Sequence, residues 1–238
     1  MDNQKSIATK DMLAPAISCE RLPLFDRANL RSVRAAFTSA TACRFRQAWR
    51  EQEEPGFLPG VVRIGWLENS LVVFAELMDT DIFNAATKLN PRTWELGDVF
   101  EMFLRASESR SYAEFHVTPN NHRLQLCYPD DEAAEWARRT GKLEEFFVPG
   151  EAFYSMTWIE PELNRWQIYA EIPTAAVGGT KALVENATWM FSFGRYDYTR
   201  GASEPVISST SPHAKLDFHR QHEWGAMIFK NSPAIQNR

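Results

Sequence analysis

The sequence predicts an all-β protein: an antiparallel β-sandwich, jelly-roll or immunoglobulin-like, with one short helix. Three observations carry this expectation. Short stretches rich in Val, Ile, Phe, Tyr and Trp recur along the chain and are separated by turn residues. Aromatic residues make up 13% of the chain, with 8 Trp and 16 Phe, which suits a β-rich core and leaves rings for a binding surface. Only one segment carries a full set of helix signals. No internal repeat, low-complexity tract or linker divides the 238 residues, so they read as a single domain, with residues 1–20 as a loose lead-in.

In chain order, residues 30–49 mix Arg, Ala, Ser and Thr with Phe37, Phe45 and Trp49, and could hold a strand or two. Residues 50–59 (R-E-Q-E-E-P-G-F-L-P) form a charged turn. Residues 61–66 (V-V-R-I-G-W) and 71–78 (L-V-V-F-A-E-L-M) read as a hairpin around Glu68-Asn69-Ser70, the second strand central because both its faces are apolar. A polar loop follows over 79–91. Strands are expected at 98–105, 112–118 and 123–128, the last two joined by a turn at Asn120-Asn121. The helix lies at 132–139, capped by Pro129, Asp130 and Asp131 and stopped by Gly141. Further strands are expected at 153–159, 165–172, 189–196 and 224–229.

Composition narrows the function. The formal net charge is −5, and no basic block with interleaved aromatics occurs, so neither nucleic acid nor an anionic membrane surface is an expected partner. No run reaches the ~18 apolar residues of a membrane span. Residues 1–19 lack the apolar core of a signal peptide because Asp2, Lys5, Lys10 and Asp11 interrupt it. A cytoplasmic location is expected, or a periplasmic or secreted one if the start is misassigned. Cys19, Cys43 and Cys127 give neither a disulfide framework nor zinc spacing. Phosphate-binding Gly-rich loops and a G-x-S-x-G elbow are missing from the sequence.

Several residues remain as chemical candidates. Asp79 and Asp81, where a strand opens into a loop, could hold calcium or could form Asx turns. His219 and His222 sit beside Glu223 but precede a strand, which does not suit a helical metal pair. Glu101 is a carboxylate inside an apolar strand, preceded by Trp94 in a loop. Alternation places Glu101 and His116 on the same sheet face if their strands are antiparallel. Such a face offers a ligand rich in hydroxyls a polar floor, and the Trp an apolar wall. Glu101 with Glu114 or Glu171 could instead serve as a glycosidase pair, which needs two carboxyls at a controlled separation.

The ordered segments G-W-L-E-N-S-L-V-V-F-A-E-L-M-D, W-E-L-G-D-V-F-E-M-F-L, Y-A-E-F-H-V-T-P-N, R-W-Q-I-Y-A-E-I-P, W-M-F-S-F-G-R-Y-D and F-H-R-Q-H-E-W-G-A-M-I-F resemble the family 9 carbohydrate-binding modules over roughly residues 60–230. The resemblance implies a bacterial, non-catalytic sandwich that holds a sugar of a xylan- or cellulose-like polysaccharide between aromatic rings. Matched motif by motif, it implies Trp94 and Phe218 as the rings and Glu101 and His116 as polar contacts. A further contact falls near Gly194 and Tyr196, with Arg195 replacing the side chain that Gly194 lacks. Calcium is the one cofactor it admits, with Asp79 the only ligand-like position; otherwise none is expected. The chain departs from the pattern at Gly97, an extra residue between Trp94 and Asp98 that shifts the wall relative to the floor. Two alternatives stand beside sugar binding: a glycoside-active enzyme using Glu101, and a sandwich whose sugar site has decayed into a protein-interaction role.

Overall fold

The computed structural model describes residues 14–178 and 183–231. Its strands are β1 (Ala16–Arg21), β2 (Ala42–Arg44), β3 (Gly60–Leu67), β4 (Ser70–Met78), β5 (Val99–Ala106), β6 (Tyr112–Val117), β7 (Arg123–Tyr128), β8 (Tyr154–Glu160), β9 (Arg165–Pro173), β10 (Thr188–Asp197), β11 (Val206–Ser209) and β12 (Gly225–Lys230). They join in one hydrogen-bonded order, β7-β6-β5-β10-β12-β1-β3-β4-β9-β8, with β11 added to β10 and β2 to β3.

Distant members of this order share one core. Phe100, Met102 and Leu104 of β5 and Ala113, Phe115 and Val117 of β6 join Val62, Ile64, Val73, Ala75, Ile168 and Ala170 from the other half. The sheet therefore folds back on itself as a sandwich. Each of these side chains fully withdrawn from water contributes roughly 1.5–3 kcal/mol for the larger aliphatics and aromatics.

Alternation sends the remaining residues of β5 and β6 outward: Glu101 and Phe103, and Tyr112, Glu114 and His116. On this outer face Tyr112, Leu124, Leu126 and Tyr128 form a second apolar cluster with Ala134 and Ala137 of a helix, α2 (Asp131–Thr140). The expected caps hold: the Asp130 side chain accepts from Ala133 N, and Gly141 ends the helix in the left-handed region at φ 73°. β4 lies between β3 and β9 with both faces covered. Val72 and Phe74 meet Val33 and Ala36 of α1 (Leu30–Ala36) and Phe37, which ends it.

The expectations need four corrections. The 30–49 segment holds the expected strand as β2, but its residues 30–36 form a helix that was not expected; Asn29 caps it, its side chain accepting from Arg31 N and Ser32 N. The described residues therefore contain two α-helices, not one. The lead-in ends in β1, which pairs parallel with both β12 and β3, so the sheet is not purely antiparallel; residues 1–13 lie outside the described part. β11 was not expected at all: it is a four-residue strand with no apolar alternation. The three cysteines are free, and no described helix is long and apolar enough to cross a membrane.

Candidate functional site

A cavity of about 320 Å³ opens on the outer face of β5, β6, β7 and β10, a size within the range of small-ligand sites. Trp94, Glu101 and Phe218 line it together, with Tyr196, Glu114 and Tyr128. Its sides are built by a short 3₁₀ turn (Thr93–Glu95), by Ala137, Arg138 and Gly141 at the end of α2, and by Leu216–His219 of the loop before β12.

Gly97 makes the Trp94 wall workable. Its φ is +133°, and a Cβ there would lie 2.5 Å from Phe83 O and 2.9 Å from Asn84 Cα. The glycine lets the 79–98 loop double back against itself, bridging Asn84 to Gly97. Asn84 Nδ2 then donates to Thr93 O and Asp98 O at 2.9 and 3.0 Å. Tyr198 Oη donates to Trp94 O. The extra residue is thus absorbed in the loop, and wall and floor still face one cavity. The Trp94 ring meets His116 edge-on, centroids 5.7 Å apart.

His116 is buried directly across from Glu101 in the β5–β6 register. Its Nδ1 lies 2.7 Å from Thr93 Oγ1 and 3.4 Å from Glu101 Oε1, and its Nε2 lies 2.9 Å from Glu114 Oε1. Burial alone would lower the imidazole pKa, but the two carboxylates outweigh it and raise it. Burial pushes Glu101 up to about 7, opposed by His116 and reinforced by Glu114. Burial also acts to raise Glu114, but the bond from His116 and the neighbouring His219, His116 and Arg138 bring it below the usual range. His219, lowered to about 4 by burial against the pull of Glu114, is neutral and shares a 2.8 Å hydrogen bond with Tyr112 Oη. Glu101 and Glu114 therefore reach the cavity, whereas His116, expected as a polar contact, lies fully buried beneath them with both ring nitrogens engaged by Thr93, Glu101 and Glu114.

Phe218 brings one edge of its ring against β10 at Gly194. A Cβ on Gly194 would come within 2.6 Å of its ring, so the missing side chain at 194 is what lets the phenyl settle there. Phe103, Tyr196 and Trp49 surround it with ring centroids 5.9, 6.1 and 6.4 Å away, and Trp224 Nε1 holds its carbonyl at 2.7 Å.

Arg195 is not brought to this cavity, which corrects its expected role. β10 alternation turns Gly194 and Tyr196 outward and sends Arg195 into the sandwich with Phe191 and Phe193. There Arg195 Nη1 donates to Leu58 O and Nη2 to Met78 O, with Asp197 Oδ2 at 2.8 Å and Asp79 Oδ2 at 3.7 Å. Asp98, which accepts from Phe83 N and Tyr198 N, completes a buried group in which Asp79, Asp98 and Asp197 offer oxygens within 4.8 Å of one another. Burial raises all three, Asp98 to about 8 and Asp197 to about 7. Asp79 Oδ2 and Asp197 Oδ2 lack a well-directed hydrogen bond. The Asx-turn reading holds at Asp79, whose Oδ1 accepts from Asp81 N at 2.9 Å, while Asp81 itself accepts from Arg200 N and pairs with the Arg200 side chain. Glu171 lies elsewhere, paired with Arg27; of the two histidines beside Glu223, His219 bonds Tyr112 Oη at 2.8 Å and His222 Nε2 lies 3.6 Å from Glu223 Oε1.

Sequence reasoning missed Tyr128 and Arg138 as cavity residues, and singled out Glu114 and His219 only for other chemistry. The parity of Glu114 with His116 was a usable signal. Nothing local announced that α2 would close over Tyr128.

No protein-family model and no curated protein sequence matches the chain. Solved structures share its fold, three of them as follows. A candidate carbohydrate-binding protein from Bacteroides uniformis ATCC 8492 superposes with a TM-score of 0.67 at 14% identity, over 91% of this chain and 99% of that one. A family 9 carbohydrate-binding module from Caldicellulosiruptor kristjanssonii in complex with cellotriose gives 0.63 at 14%, over 92% and 95%. Such a module from the same organism in complex with glucose gives 0.59 at 14%, over 95% and 99%.

Proposed function

We propose that the protein binds carbohydrate without transforming it, a sugar lying against Trp94 and Phe218 above Glu101. One observation carries this reading: Trp94 and Glu101, and Phe218 more than a hundred residues further on, each expected from motif position, line a single cavity. An aromatic wall suits the C–H faces of a pyranose, and a carboxylate floor suits its hydroxyls. The neighbouring folds that hold cellotriose and glucose support a neutral chain-end sugar as the ligand class. Hydrolysis by Glu101 and Glu114 is less well supported. The two carboxyls contact opposite nitrogens of one imidazole, so the ring fills the space between them that a scissile bond and water would need.

Calcium is proposed as a structural partner of the interior acid group. Three carboxylates gather there and only two of them pair with the one guanidinium, Asp79 Oδ2 at no closer than 3.7 Å. Asp79, Asp98 and Asp197 would hold the ion, which would supply positive charge tying the end of β4 to β5 and β10.

Titration calorimetry with glucose and cellobiose tests the sugar site. Trp94→Ala is expected to weaken binding by about 2 kcal/mol, some thirtyfold. Unchanged affinity would remove the site.

A further inference from the structure

A second cavity, of about 380 Å³, adjoins the first and shares Arg92 and Leu143 with it. It lies between the 88–96 loop and the 3₁₀ turn Leu143–Phe146 that follows α2. Arg92 spans the boundary. Its Nη2 donates to Gly141 O at 2.8 Å, from one bank to the other, and its Nη1 lies 3.3 Å from Glu95 Oε1. A guanidinium has five N–H groups, so donors remain on this half-exposed side chain.

The lining repeats the chemistry of the first cavity. Phe147 is its one aromatic residue and, with Leu124 and Leu143, gives it an apolar surface. Two cations, Lys88 and Arg92, are matched by two acids, Glu95 and Glu144, so the lining carries no net charge. An aromatic, apolar surface edged by donors and acceptors of balanced charge fits an uncharged polyhydroxylated unit better than an ion or a hydrocarbon. Arg92, Leu124, Leu143 and Phe147 all lie outside the segments that resemble the family 9 modules, so the motif positions that assign the first cavity leave the second unassigned. We infer that the ligand is a neutral oligosaccharide that occupies both cavities. Its end sugar lies on Trp94 and Phe218, the adjoining sugar lies on Phe147, and the Arg92 fork donates to oxygens at the link between them. A sugar tethered to a bound neighbour avoids most of the entropy cost of association, so modest contacts in the second cavity suffice. The inference rests on the carbohydrate-binding reading and extends its ligand.

The test is calorimetry at pH 7 with glucose and with cellobiose, laminaribiose and gentiobiose, β-linked diglucosides that differ in the position of the link. The wild-type chain is compared with Phe147→Ala, Arg92→Ala and Trp94→Ala. At least one diglucoside is expected to bind about tenfold or more tightly than glucose. Phe147→Ala and Arg92→Ala should each bring that ratio down toward one, and a general loss of folded protein leaves the ratio unchanged. Should Phe147→Ala fail to fold, Phe147→Leu removes the ring and keeps an apolar side chain. If no diglucoside reaches the tenfold margin while Trp94→Ala weakens glucose binding, the second subsite is wrong and the sugar site stands. A preference that survives substitution of either Phe147 or Arg92 places the adjoining sugar elsewhere and overturns the inference. If no sugar binds, or Trp94→Ala changes nothing, the sugar site falls and this inference with it.

Discussion

Two groups of buried acids lie on opposite faces of the same sheet half, and one residue of β10 separates them. On the outer face, Gly194 borders the Glu101–His116–Glu114 floor. On the inner face, Arg195 stands among Asp79, Asp98 and Asp197. Both place a cation between carboxylates, as buried charge requires. They differ in access and in the cation. The outer group lines a cavity, and its cation is an imidazolium whose charge depends on the carboxylates beside it. The inner group is sealed between the layers, and its cation is a guanidinium that keeps its proton at any ordinary pH. The outer arrangement keeps a floor that can answer a ligand; the inner one ties strand ends together.

The comparison is broken most severely by removing the inner cation. Arg195→Met leaves buried carboxylates uncompensated and should cost about 3–5 kcal/mol in denaturant unfolding. A loss under 1 kcal/mol would mean that those acids are protonated or solvated, and that the two groups are less unlike than described.

Calcium sharpens the same side. At a hundredfold excess over its dissociation constant, an ion bound only by the folded chain adds about 2.7 kcal/mol. Unfolding with calcium and then with a chelator should show such a difference in the wild type and none in Asp98→Asn. No shift on chelation would assign the acids to Arg195 alone.

Gly97→Ala probes the support of the outer side. The left-handed φ and the close approach to Phe83 O predict a loss of roughly 1–3 kcal/mol. Because the same loop carries Trp94, sugar affinity should fall with stability. Affinity that survives would detach the wall from the loop.

The smallest expected effect is on pH dependence, where the outer group shows opposite signs for folding and binding. The folded pKa of Glu101, about 7, lies above its unfolded value, so its contribution to stability is full below the unfolded value and lost as pH rises to about 7. His116, also raised, contributes below its unfolded value and loses that contribution as pH passes its folded one. Glu114, lowered, is already ionised in both states above pH 5 and adds no slope there. In calcium-free buffer, stability should therefore decline from pH 5 to 8, and Asp197 and Asp98 add to the decline. Sugar affinity should rise about fivefold through pH 7, as an ionised Glu101 becomes the stronger acceptor, roughly 1 kcal/mol over the neutral acid. Glu101→Gln should flatten the affinity profile. A profile flat in the wild type would take Glu101 out of the binding floor.

Much of this was legible in the residues themselves. The hairpin of β3 and β4, the β5–β6–β7 meander, the caps of α2 and the shared face of Glu101 and His116 follow from alternation and turn chemistry. These act over a few residues and leave a local trace. Even Arg195 carried a readable signal, since it shares parity with Phe191 and Phe193 and so with the core. Other features left no such trace. Residues 30–36 become a helix because their apolar stripe meets Val72 and Phe74. β1 becomes a strand because β12 and β3 offer free edges to either side. Neither partner is near in sequence.

By itself, then, the sequence determined which residues share a strand face, and with that the pairing of a Trp wall with a carboxylate floor. Tertiary structure decided which face opens to a ligand and which is sealed. It laid α2 over Tyr128 and Glu114, pressed Phe218 onto Gly194, and turned Arg195 away from the cavity. The physical reason is range: backbone alternation is set by adjacent residues, whereas burial is set by whatever distant segment packs on top.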